Sequence, residues 1–261
     1  MFQQLNISID KKSIKKFLLY STVALLISTI IIILDIKFPQ VSQSFDGKIR
    51  DYMFLLRGKI EPKNDVVIID VDEKSLTNLG QWPWSRNKLG VILENLAKSE
   101  VSAIGFDIVF AELDQSSPKK VLEELGMKNK NAQDYDAYFN TIIASTPTIL
   151  GYQFELEEKD YVRQGSIDIP AIFVEKNKLE GSDMLINAKG AILNHQSLQE
   201  SGYSSGFFNN IPDDGGTVRS VPLIIRYDDQ IYPSIALEMV RASLGIDKVI
   251  IREPLKINQF S

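Results

Sequence analysis

The chain has 261 residues, 44% of them hydrophobic and 24% charged, with a formal net charge of −5. It holds no cysteine and a single histidine, His195, which excludes thiol catalysis, cysteine metal sites and multi-histidine zinc sites and argues against a histidine-based triad. Residues 1–16 contain four lysines and one aspartate, so residues 17–261 carry −8, the wrong sign for a nucleic-acid-binding domain.

Residues Phe17 to Leu34 run for 18 positions without a charge, just after Lys11, Lys12, Lys15 and Lys16. As a helix at 1.5 Å per residue this run is about 27 Å long, close to a ~30 Å hydrocarbon core. A cleaved signal peptide has a shorter apolar region and a small-residue cleavage site. Here the run exits through Asp35, Lys37, Phe38 and Pro39. A surface helix would show a polar stripe, and this run has none. Residues 17–38 therefore read as a membrane-spanning signal anchor. The preceding lysines put the 1–16 tail in the cytoplasm and residues 40–261 outside it.

Beyond the anchor, Phe45, Ile49, Tyr52, Met53 and Leu56 recur at helical spacing and predict an amphipathic helix over 42–57. Its apolar face either packs on the domain's own sheet or forms a homodimer contact. Asp65 to Val71 is a β-branched run that predicts a buried strand. Asp72 can cap a short helix ended by Gly80, and a Trp82-Pro83-Trp84 loop follows. Leu89, Ile92, Leu93 and Leu96 mark the next helix, and Ala103 to Phe110 a second strand. That order predicts a βαβ unit with the two strands parallel.

Further helices are predicted from Pro118 to Gly126, around Tyr135 to Ile143, and from Pro233 to Leu244. Strands are predicted at 148–154, 217–227 and 249–251, with Pro222 placing the second at an edge or bulge. Asp228-Asp229 reads as a turn, and 155–204 as hairpins or an insertion.

Three groups of residues invite a chemical reading. Asp70, Asp72 and Asp107 would meet at the C-terminal edge of the sheet, where open α/β sheets bind ligands. Three carboxylates there suit a cation or a polar ligand, or else Asp72 caps a helix and Asp107 bonds loop amides. Trp82, Trp84 and Arg86 could grip a cation, a sugar or a peptide, with the proline holding the indoles in an extended loop. Alternatively the indoles lid the sheet and Arg86 pairs with one of those three aspartates. Asp213, in Pro212-Asp213-Asp214-Gly215-Gly216 before Arg219, could belong to a calcium-holding turn or to a plain hairpin turn.

Five segments, in order, resemble one family. They are FDGKIRDYMFLLRG, VVIIDVDEKSLTNLGQWPWSR, AIGFDIVFAE, GFFNNIPDDGGTVRSVPLII and YPSIALEMVRA, together spanning Phe45 to Ala242. The family is the second of the CHASE domains, the cyclase/histidine-kinase-associated sensory extracellular domains. The resemblance implies a bacterial extracytoplasmic sensor. Its cytoplasmic outputs would be adenylate or diguanylate cyclases, histidine kinases or Ser/Thr kinases. Family members read Asp-x-Asp-Gly before the Val-Arg pair, and here Gly215 replaces the second aspartate, which weakens a cation site at that turn. The sequence ends at Ser261 without a second apolar span, as expected of a fragment or of a protein that signals through a partner.

The fold class expected is therefore α/β, a layered mixed and partly parallel sheet with flanking helices behind one N-terminal transmembrane helix. The function expected is a non-enzymatic sensory input domain without a cofactor. Its partners would be a small molecule or an envelope protein, the lipid bilayer through 17–38, and a second copy of the chain. The rival readings are a membrane-anchored hydrolase using Asp70, Asp72 and Asp107, and an assembly module.

Overall fold

The computed structural model describes residues 11–63, 65–127, 129–157, 173–175, 185–213, 216–228 and 230–251. The chain divides into two compact units, one of residues 1–67 with 212–219, the other of 68–211 with 220–261.

The first unit is built on two helices. Helix α1 (Lys11–Lys37) contains the apolar run. Among the described residues one helix is long and apolar enough to cross a membrane, Ile14–Lys37, with a mean hydropathy of 2.6 and no part of it buried. Phe38 leaves helical geometry at φ −134° and ψ 62°, and Pro39 then opens helix α2 (Pro39–Arg57), which Gly58 ends at φ 75°. Proline lacks an amide hydrogen, so it fits a first turn whose amides have no intrahelical partner.

The second unit is an α/β fold. Helix α3 (Glu73–Leu79) starts on the Asp72 side chain, and helix α4 (Arg86–Lys98) follows the tryptophan loop. Next come strand β1 (Ile104–Phe106), helix α5 (Pro118–Glu124), helix α6 (Tyr135–Ala144), strand β2 (Thr148–Glu155) and strand β3 (Phe173–Glu175). They are followed by strand β4 (Gly190–Ile192), helix α7 (Gln196–Gln199) and strand β5 (Ser204–Phe207). Strand β6 (Ile224–Tyr227), strand β7 (Gln230–Pro233), helix α8 (Ile235–Ser243) and strand β8 (Val249–Ile251) complete it.

Strand β2 is the centre of the sheet. β1 and β5 flank its first half, both parallel to it, and β4 pairs antiparallel with Gln153 to Glu155. On one face Ile104 and Leu150 share a core with Leu89 and Leu93 of α4 and Phe139 and Ile143 of α6. On the other face helix α8 comes down on glycines. A Cβ at Gly206 would meet the Ile235 backbone at 2.6 Å, and one at Gly105 would meet Met239 Sδ at 2.4 Å. Only residues without a side chain let the helix backbone approach this closely. Glu238, 1% exposed, fastens the layer by accepting from the Ser204 hydroxyl and from the Arg241 guanidinium. A second core gathers Tyr152, Phe154 and Phe207 with Ile225, Tyr227 and Tyr232 of the β6–β7 hairpin.

Three expected strands differ from those found. Residues 66–70 are not a strand, and Val66 to Ile69 are 59% to 87% exposed. Their β-branched pattern fits a strand, but a strand also needs a ladder, and β1 pairs with β2 instead. The parallel crossover therefore joins β1 to β2 through α5 and α6. The second strand is also shorter than expected, since the ladder ends at Phe106. The strand expected over 217–227 begins at Ile224, after Pro222, which has no amide to give a ladder. Within 155–204, residues 158–172 and 176–184 lie outside the described residues, and the rest holds β3, β4, α7 and the start of β5.

Beyond Tyr152 the β5 side of β2 has no strand partner among the described residues, and Asn209 replaces one. Its Oδ1 accepts from Phe154 N at 2.8 Å and its Nδ2 donates to Phe154 O at 2.7 Å. Asn209→Ala leaves both buried groups unpaired, at roughly 1–3 kcal/mol each. The full chain in detergent should unfold at a clearly lower urea concentration, read from the fluorescence of Trp82 and Trp84. An unchanged midpoint would show that water replaces the amide without cost.

Candidate functional site

The acidic edge expected from sequence is not assembled. Asp72 is the N-cap of α3, accepting from Ser75 N at 2.8 Å, and hydrogen bonding by Ser75, through its hydroxyl first and its amide second, holds the Asp72 carboxyl below the usual range. Asp70 and Asp107 are exposed. With 66–70 outside the sheet, the shared strand face that was to collect the three carboxylates does not exist. Among the described residues no group of three or more acidic or histidine side chains could hold a metal ion.

The tryptophan loop is a packed corner. The Trp82–Pro83 peptide is cis, and the indoles meet edge to face with centroids 5.7 Å apart, where the sequence reading had them in an extended loop. Trp84 is buried and its Nε1 donates to Gly80 O at 2.7 Å, so it lids the core. Trp82 is 38% exposed.

Arg86 pairs with none of the three expected aspartates. Its backbone N donates to Asp114 Oδ2 at 2.6 Å and one guanidinium nitrogen donates to Glu112 O at 3.1 Å. Its Cζ stands 4.2 Å from the Phe110 ring centroid. Its Nε lies 3.8 Å from Asp136 Oδ1, an ion pair without a hydrogen bond. Burial pushes the Asp136 carboxyl above its usual value, opposed by the Asp114 amide and by Arg86. Burial likewise lowers Arg86, opposed by Asp136 and Asp114. Asp136 and the ring thus flank the cation while Asp114 holds the first amide of α4, and together they tie the start of α4 to the first turn of α6. Sequence reading missed Asp114 and Asp136. The Asp-x-Ser turn at Asp114, whose Oδ1 accepts from Ser116 N at 2.8 Å, is a local signal, whereas nothing near Asp136 points to Arg86.

The other polar centre lies in the first unit. Arg219 forks onto Asp51 of α2, with Nε 2.9 Å from Oδ1 and one terminal nitrogen 2.7 Å from Oδ2. Its other terminal nitrogen pairs with Asp213. Asp213 also holds its own turn, accepting from Thr217 N at 3.1 Å. Asp214 and Gly215 lie outside the described residues. A Cβ on Gly47 would come within 3.2 Å of the guanidinium, so glycine at this place on α2 lets the fork sit on the helix. Bidentate pairing of arginine with a carboxylate fixes geometry as well as charge. The two carboxylates hold Arg219 above its usual range, and Arg219 holds Asp51 below its own. Asp213 and Arg219, which the sequence singled out separately at and after a turn, thus meet in a clasp on α2 through Asp51, and neither that pairing nor Asp51 was read from the sequence.

The chain matches the CHASE2 domain over residues 23–260. It belongs to the CHASE2 family, a family of extracellular sensory domains rather than catalysts. Comparison with curated proteins gave no match, and comparison with solved structures gave none.

The clasp has a defined pH response. The folded-state pKa of Asp51 is depressed by Arg219, so its contribution is fully present above the ordinary carboxylate value of 3.8 and is lost as pH falls through the lowered one. Spin labels at Thr217 and Arg50 should therefore report one narrow distance from pH 7 to pH 5, broadening only in stronger acid. Broadening by pH 5 would mean that Asp51 is not held by the arginine.

Proposed function

We propose that this chain is the extracytoplasmic input domain of a bacterial membrane signalling protein, with residues 1–16 in the cytoplasm. A small molecule or an envelope protein shifts the sensory fold between two states, and α2 passes the shift through α1 to a cytoplasmic output such as a nucleotide cyclase or a kinase. A stimulus can do this only by binding the two states with different affinity.

The observation that carries this reading is the Arg219 clasp. The 212–219 loop is a short interruption between β5 and β6 of the second unit, yet it belongs with α1 and α2. Through Arg219 it grips the helix that leads straight into the apolar span. A strain in the strands on either side of the loop therefore has a bonded route to α2. A bidentate ion pair suits the task because it resists both sliding and rotation of the helix beneath it. The lysines before Phe17 support the orientation.

Two measurements test the proposal. A reporter active only outside the cytoplasm, fused after Ser261, should be active, and one active only inside should be silent. The opposite result would sink the orientation and the sensor reading with it. For the route, Arg219→Asp and Asp51→Arg should each broaden the label distance between Thr217 and Arg50, and the double exchange should narrow it again. An unchanged distance in both single variants would remove the clasp from the mechanism.

A further inference from the structure

Within the second unit, strand β6 lies between two neighbours. On one side it pairs antiparallel with β7, placing Arg226 opposite Ile231. On the other side residues 186–188 run parallel to it, and there Arg226 N donates to Ile186 O at 2.9 Å while Arg226 O accepts from Ala188 N at 2.8 Å. Arg226 is thus a central-strand residue, paired with Asn187 and with Ile231. Directly paired residues project to the same face of a sheet. The Arg226 side chain therefore stands between Asn187 and Ile231, on the face opposite the one that Ile225 and Tyr227 turn into the second core. Ile231 is 6% exposed, so this face too is covered along β7.

A guanidinium in such a place needs an anion, because arginine cannot shed its charge as a buried lysine or histidine can. Arg86, Arg219 and Arg241 each face a carboxylate. Among the described residues Arg226 has none, and its Nε and Nη2 are buried without a hydrogen-bond partner. Buried polar groups left unpaired in a folded protein are rare and costly. These two nitrogens also belong together. The Nε–H and one N–H of Nη2 point the same way and form one edge of the fork, the edge that receives two oxygens of a single oxyanion side by side.

We infer that Arg226 anchors a ligand site in the sensory unit, and that the ligand presents a carboxylate to its Nε–Nη2 edge. Arg226 is only half-buried, so an ion can reach it. Asn187, one strand away at about 4.8 Å, adds an amide donor on the same face. Charge selects carboxylate over phosphate. The two direct neighbours on this face, Asn187 and Ile231, are uncharged, so one guanidinium balances one negative charge. A phosphate dianion would leave a second charge without a partner in a place where that is costly. Arg226 also follows Arg219 by seven residues in the sequence, so the site lies on the strand that the clasp loop leads into. The inference names a ligand class for the sensory reading and rests on that reading only for its purpose. Binding is measured directly, so the site and the signalling route can fail separately.

The full chain in detergent is unfolded with urea at pH 7 in sodium acetate, sodium benzoate, sodium phosphate or sodium chloride of equal ionic strength, with the fluorescence of Trp82 and Trp84 as the readout. A ligand that binds only the folded state raises the midpoint. Acetate and benzoate should raise it above the chloride value and saturate, and phosphate should not. Arg226→Met keeps the length of the side chain without the charge. Its midpoint should be the same in all four salts and, in chloride, no lower than that of the native chain, because an unpaired buried cation has gone. Arg226→Lys keeps a charge but cannot fork, and should need at least about tenfold more acetate for the same rise. This second variant decides the question even where the neutral one does not fold. The inference is overturned if neither carboxylate raises the native midpoint, or if phosphate raises it as much. It is overturned too if Arg226→Met or Arg226→Lys keeps the full rise, which would then be a general salt effect. A midpoint for Arg226→Met below the native one in chloride would also sink it, since that is the result expected if a carboxylate of the chain itself already holds the arginine.

Discussion

The second unit depends on completing the hydrogen-bonding ladder of β2. The strand is buried from Thr148 to Tyr152 and again at Phe154, so each of its amides and carbonyls needs a partner that water cannot supply. Neighbouring strands satisfy most of them. Where they run out, two buried asparagines take over. Asn209 exchanges two bonds with Phe154 as a strand residue would. Asn194 donates to Gly151 O at 2.9 Å while accepting from Phe110 N at 2.8 Å. A side-chain amide carries the same donor and acceptor as a peptide group, so it can end a ladder inside a core where the chain itself must turn away. The segments leaving β1 and β5 are thereby fixed against β2, and they lead into the Asp114 turn and the 212–219 loop.

From that centre the two faces are treated differently. The α4–α6 face is packed with large apolar side chains and aromatic rings, among them Phe106, Phe110 and Phe139 in mutual edge contact. The α8 face is close-packed on glycine and fastened by a buried ion pair. Glu238 and Arg241 satisfy each other bidentately, and Arg241 also donates to Ile246 O at 2.5 Å. Such a pair adds little net stability over an apolar one, but losing one member leaves a charge buried. It fixes where α8 sits more than how tightly it is held.

The first unit follows other physics. Among its described residues there is no core comparable to the second unit's, and its fixed point is an arginine fork on helix α2. An exposed ion pair is weak as a source of stability, yet its directional bonds define how loop and helix meet. The contact is thus geometrically specific and energetically light.

The sequence by itself determined the elements whose signals are local. The uncharged run and its lysines located α1, helical spacing gave α2, α4 and α6, and Asp72 and Gly80 bounded α3. The aliphatic run at Thr148 marked β2, the Pro-Asp-Asp-Gly-Gly motif marked the turn at Asp213, and the five quoted segments pointed to the family that the whole-chain match supports. Tertiary structure decided everything that needs a partner distant in sequence. The β-branched run at 65–71 has every local mark of a strand and is not one, because pairing is a property of two segments and β1 found β2. Arg86 was legible as an unusual cation, but Asp114 and Asp136 became its neighbours only when α4 and α6 packed together. Arg219 was legible beside its turn, and Asp51, 168 residues away along the chain, was not. Periodicity and capping report what a segment can do within a few residues of itself. Ladders, ion pairs and the exposure of a helix face are set by which segments the fold brings together.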